Sequence, residues 1–215
     1  MVLDPNLTFA YLIVATALAL SPGPDVMFVL ANGLENQRRG ALASSFGIAA
    51  GSLIHAIAAG LGVSAIIGSS QTAFELLRYA GAAYLLWLGI QTLKKWWSAP
   101  TLAKLEKQDE KSTLAIFRSG LITNLLNPKV IIFYLALLPQ FVNLALGSPG
   151  VQIFLLGAIH AAIGLIYLVC IGLIAGHAKH HLTDTHIGRW LDAVAGIFFV
   201  GLALRLLLFE KTEAV

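Results

Sequence analysis

Charged side chains are scarce in this sequence, at 12% of 215 residues, against about 25% in soluble domains. With so little charge there is too little polar surface to wrap a water-soluble body. A soluble enzyme, a nucleic-acid-binding domain and a disordered chain are therefore excluded as readings. Cysteine is limited to Cys170, so no internal disulfide can form, and within its apolar run it reads as a small packing residue. No Lys or Arg precedes the first apolar run, and Asp4 does. A signal peptide needs a positive start, so this run is expected to stay as the first membrane span. The sequence lacks GxxxxGK[ST], which argues against ATP as the energy source within this chain. It also lacks HExxH and GxSxG; no enzyme and no cofactor are expected.

What is present is apolar residue, 58% of the chain, with a mean hydropathy of +0.81. Six apolar segments, about 7–31, 41–67, 73–93, 120–146, 151–175 and 190–209, meet the length rule for membrane helices. The expected fold is an all-α polytopic membrane protein, one transporter-type domain over 1–215. Its halves would be about 1–93 and 120–215, joined by a polar loop at 94–119. Ten of the fourteen Lys and Arg fall after spans 1, 3 and 5, as with Arg38, Arg39, Lys94 and Arg118. By the positive-inside bias those loops are cytoplasmic and both termini face the other side.

Spans 1 and 4 carry helix breakers. Span 1 contains Ser21-Pro22-Gly23-Pro24-Asp25 and span 4 contains Asn127-Pro128-Lys129. Proline removes a backbone donor and clashes with the preceding turn, so each helix should stop and restart. Pro24 and Pro128 suit the first position of the new segment, with Asn127 as N-cap. Each break thus creates a helix N-terminus inside the membrane, which is tolerated only where protein or a wet cavity surrounds it. His55 follows Pro24 by 31 residues and His160 follows Pro128 by 32. Three spans per half would give the halves opposite orientations, the arrangement of inverted-repeat transporters.

The charges at these breaks are the candidate site. Asp25 and Lys129 place a negative and a positive group at matching positions, as a zwitterionic guest would need. Ionisable groups within spans are costly and therefore functional candidates. The plainer alternatives are that the two pair with each other, that Asp25 only complements a helix dipole, or that Lys129 snorkels to the interface. Asn124 and Asn127 offer amides to the same place, although capping alone would account for Asn127. His55 and His160 titrate near neutral pH and are candidates for proton coupling; hydrogen-bonded packing is the competing role. Asp25 is the better coupling candidate, because a proton can be exchanged there for a substrate ammonium.

The segments 19–62 (with SPGPD), 79–95 and 119–142 (with LNPK) are together similar to the LysE-type translocator family, in its RhtB-like amino-acid exporter branch. The resemblance covers nearly the whole chain. It implies export of small amino acids such as leucine, threonine or homoserine across the bacterial inner membrane, coupled to protons. The partners so implied are substrate, protons and lipid, with no nucleic acid. A divalent-metal exporter and a non-transporting membrane subunit are the alternatives.

Other features have structural readings. Ala43, Gly47 and Gly51 are four apart, as are Gly172 and Gly176, which puts small residues on one helix face. Internal packing is favoured over contact in a homo-oligomer. Trp87, Trp96, Trp97 and Trp190 suit interfacial anchoring, and Glu75–Arg78 and Arg189–Asp192 suit helix ion pairs. His177, His180 and His181, with Asp184 or His186, resemble a metal ligand set; a solvated basic loop is the favoured reading.

Overall fold

The computed structural model describes residues 2–69 and 112–177, backbone alone at 63–69 and 177, plus single helical positions within 72–94 and 197–204. Every regular element among the described residues is helical. Helix α1 (Pro5–Leu20) starts on Asp4, whose carboxylate accepts from the N–H groups of Asn6 and Leu7. It stops at Ser21, which is extended (ψ 125°), because a residue followed by proline is pushed out of the helical region. The chain restarts at Pro24 as α2 (Pro24–Ser69).

Straight, the 46 residues of α2 would reach about 69 Å, more than twice the ~30 Å of hydrocarbon. They do not run straight: Gln37 takes φ 51° and ψ −139° and reverses the chain. A Cβ at Gly40 would lie 2.1 Å from the Asn32 carbonyl oxygen across this turn, so only glycine fits there. Limb 24–36 completes the first span begun by α1, and limb 38–69 forms the second. The connection carrying Arg38 and Arg39 is thus a tight reversal.

Helix α3 (Thr113–Leu125) is capped by the Ser112 hydroxyl, which accepts from the Ala115 N–H. It begins inside the stretch expected to be loop, so residues 113–119, Arg118 included, are helical: Ser112 caps the apolar run Leu114–Phe117, whose Ile116 is buried. After Leu126 and Asn127 the chain restarts as α4 (Pro128–Ile132), with a bend of 52° across the break. Span 4 is then irregular: a π turn at Phe133–Leu137 and a 3₁₀ turn at Leu138–Phe141. Pro139 has no N–H to continue the ladder. A second 3₁₀ turn (Leu144–Leu146) leads into α5 (Pro149–His177).

Small residues set the helix spacing. A Cβ at Gly47 would lie 2.2 Å from the Phe117 carbonyl oxygen of α3, and one at Gly33 would lie 2.4 Å from that of Gly172 in α5. The glycine stripes are therefore used for internal packing. Gly47→Ala should force α2 and α3 apart and cost about 1–3 kcal/mol, read as a lower melting temperature in detergent.

The bundle has two polar ends. At one, the Arg39 guanidinium donates to the Thr113 hydroxyl beside the Gln37 turn. At the other, Asn143 Nδ2 donates to Asp4 Oδ2 at 2.9 Å, and the buried Gln152 amide holds the Asn143 backbone at both its N–H (3.0 Å) and its carbonyl (2.8 Å). The Asn143 amide, then the Leu7 and Asn6 N–H groups, hold the Asp4 carboxyl below its usual value. A depressed carboxyl stabilises the fold above its unfolded pKa and loses that contribution as pH falls. The stability advantage of wild type over Asp4→Ala at pH 7 should therefore shrink below about pH 4, read by melting curves across pH.

Two apolar clusters form the core. Tyr11, Val14 and Leu18 of α1 pack with Phe133, Leu137, Ile153 and Leu156. Val26, Val29 and Ile48 of α2 pack with Leu168. Large side chains such as Leu61 (73%) and Ile166 (66%) face outward, as a lipid-facing surface requires. Cys170 is exposed on this outer face of α5 with Ile166 and Ile174, four residues to either side. The expectation that it packs in the core is corrected: the run around it is apolar because lipid, and not only protein, surrounds α5. Segment 95–111, the remaining positions of spans 3 and 6, Arg78, Arg189, Asp192, Trp96, Trp97, Trp190 and the His177–His186 side chains lie outside the described residues. Trp87 is exposed.

Candidate functional site

Both proline breaks lie side by side within the bundle, and each supplies what the other needs. Asp25 stands in the first turn of α2, where an anion suits the positive helix end. Its Oδ2 accepts from Asn124 Nδ2, at the end of α3, at 2.7 Å. In return, Lys129 in the first turn of α4 sends Nζ to the Ser21 carbonyl at the end of α1, at 2.7 Å. A cation is misplaced at a helix N-terminus and well placed at a helix C-terminus, and this reach takes it from one to the other. Lys129 is therefore held inside the bundle, and snorkelling does not describe it. Gly23 lies against the same side chain, where a Cβ would be 3.7 Å from Nζ.

Asn127 is the N-cap of α4: its Oδ1 accepts from the Lys129 N–H at 3.1 Å. Asn124 is fixed further by Ser52, whose hydroxyl donates to Oδ1 at 3.4 Å. Gly51 makes room for it, since a Cβ there would lie 2.7 Å from that oxygen.

These groups surround a cavity of about 50 Å³ between the two apolar clusters. That is room for a few water molecules, at roughly 10–15 Å³ for the first. Asp25, Asn124, Asn127, Lys129 and His160 all line it, with Ser21, Pro-flanked Gly23 and Ser52. The far wall is α5, through Ala161, Gly164, Leu165 and Leu168. Asp25 Oδ1 and His160 Nδ1 are buried and find no hydrogen-bond partner among the described residues. Buried polar atoms are normally satisfied, so these two mark where a polar guest fits. His160 is wedged against the Phe133 ring at 4.3 Å between centroids.

Five of the six expected polar residues thus meet at one cavity. His55 stands outside that wall: its Nε2 lies 3.4 Å from the Asn124 carbonyl oxygen, and its ring stacks on Tyr134. Pro22, Pro24 and Pro128 act on the backbone, ending one helix and starting the next. Two contributors were not singled out from the sequence, Ser52 and the Ser21 carbonyl. Ser52 was legible only as a hydroxyl three residues from His55 in an apolar helix. A carbonyl has no sequence signature at all. Among the described residues no three His, Cys, Asp or Glu side chains gather as a metal site.

Fold and site together define a polytopic helical membrane protein with a polar cavity between two broken helices. The chain belongs to the LysE type translocator family, which matches residues 16–209. It is 31% identical to a leucine efflux protein of Salmonella choleraesuis, over 92% of this chain and 93% of that one. A homoserine/homoserine lactone efflux protein of Salmonella typhimurium is 40% identical, over 62% of this chain and 64% of its own length. A Vibrio cholerae membrane protein is 31% identical over 95% of this chain and 98% of its own. These relatives fit the RhtB-like branch, and they indicate a transporter and not an enzyme. No solved structure matches the chain.

Proposed function

We propose that this protein exports small neutral amino acids across the bacterial inner membrane, with protons moving in exchange. The observation that carries the reading is the meeting of Asp25 and Lys129, from opposite breaks, at one cavity where Asp25 Oδ1 has no hydrogen-bond partner among the described residues. A substrate ammonium is a fitting guest for that oxygen, and the Lys129 ammonium suits a carboxylate. Ala161, Leu165 and Leu168 of α5 give the cavity an apolar side, which matches an uncharged side chain in character. Asp25 is the group that exchanges a proton for the ammonium, with His160, which lines the same cavity, as a second. The efflux proteins related to the chain support this substrate class. Both halves, 1–93 and 120–215, work as inverted repeats around the cavity, with the Arg38–Arg39 end in the cytoplasm and the Asp4 end outside.

The test is to overproduce the protein in cells and challenge them with toxic levels of single amino acids. Protection with rising external amino acid supports the reading. Protection against none of them, with protection against zinc or cobalt instead, replaces it with metal export.

A further inference from the structure

Three glycines on the inner face of α5 behave differently from one another. Gly157, Gly164 and Gly172 are seven and eight residues apart, about two turns each, and so share one face. At the outer two, glycine serves close packing. A Cβ on Gly157 would lie 2.6 Å from the Ala56 Cβ, and one on Gly172 would lie 2.7 Å from Val29 Cγ1. At the middle one, a Cβ would meet nothing within 4 Å. The reason is positional: Gly164 lines the cavity, with Ala161 one turn before it and Leu168 one turn after. Ile166, on the opposite side of the helix, faces outward, while Gly164 is half-buried and its open side is part of the cavity lining.

We propose that Gly164 sets the size limit for the substrate side chain. The inference rests on the transport reading above and adds the residue that grades substrates within it. Asp25 and Lys129 stand at the breaks, whereas α5 brings Ala161, Gly164, Leu165 and Leu168 to the cavity beside His160. A guest held by its ammonium and carboxylate at the breaks directs its side chain to these α5 residues, and the missing side chain of Gly164 is the room it enters. Filling the room penalises large side chains more than small ones; a single methylene in an apolar pocket discriminates on the order of tenfold or more.

The experiment has two arms on the full-length protein. In the first, purified Gly164→Ala, Gly157→Ala and Gly172→Ala are melted in detergent. Gly164→Ala should melt at or above the wild-type temperature, because alanine gains helix propensity without a clash, while the other two melt lower. A fall for Gly164→Ala equal to theirs overturns the proposal. In the second, cells producing wild type or Gly164→Val are compared for export of alanine, homoserine and leucine. The leucine-to-alanine export ratio should drop on the order of tenfold. An unchanged ratio, whether all rates fall together or none do, overturns the proposal while leaving the transport reading in place. A wild type that exports no amino acid overturns that reading instead, and the size limit with it.

Discussion

Asp25→Asn should lower amino-acid export on the order of 100-fold, with the protein still folded and in the membrane. The substitution keeps shape and keeps an oxygen that accepts from Asn124 Nδ2, the 2.7 Å bond of the wild type. It removes only the charge. Losing one partner of a buried ion pair costs about 3–5 kcal/mol, and 1.4 kcal/mol is tenfold, so the substrate ammonium loses two decades or more. The fold should not suffer. A charge within a span costs about 3 kcal/mol to place there, and Oδ1 has no hydrogen-bond partner among the described residues. Melting at or above the wild-type temperature together with lost export separates a binding role from a structural one. Export at the wild-type rate with the wild-type pH dependence would remove Asp25 from the mechanism.

Lys129→Met should have the second largest effect, and of a different kind. It keeps most of the side-chain length and deletes the cation that bridges α4 to the Ser21 carbonyl. A hydrogen bond to a charged group contributes about 1.5–3 kcal/mol, so this variant should melt lower as well as export roughly 10–100-fold less. Lys129→Arg restores the charge and part of the stability, but the planar guanidinium does not reproduce a point donor beside Gly23. Export should remain reduced in that variant. Wild-type export by Lys129→Met would leave the lysine as a tether between the breaks and nothing more.

The breaks were legible in the sequence because proline acts on its own backbone and on the residue before it. Ser21 and Asn127 are extended for that local reason alone. Buried charge was legible too, since few charges remain once the loops are set aside. What lay beyond reach was tertiary. Nothing local to Asn124 says that it faces Asp25 from 99 residues away, or that the amide of Gln152 pins the turn at Asn143. The two histidines show the limit most clearly. Their spacings from Pro24 and Pro128 differ by one residue, yet only His160 lines the cavity. Sequence separation carries no rotational phase through the Gln37 reversal or through the π and 3₁₀ turns after Phe133. Cys170 failed for a related reason: hydropathy alone does not separate a core-facing side of α5 from a lipid-facing one.

The most direct test of the central claim is efflux of labelled homoserine and leucine from liposomes holding the purified protein, with and without an imposed pH gradient. Efflux should exceed that of empty liposomes, be accelerated by the gradient and be lost in Asp25→Asn. Efflux no faster than from empty liposomes, or equal efflux by wild type and Asp25→Asn, would contradict that claim.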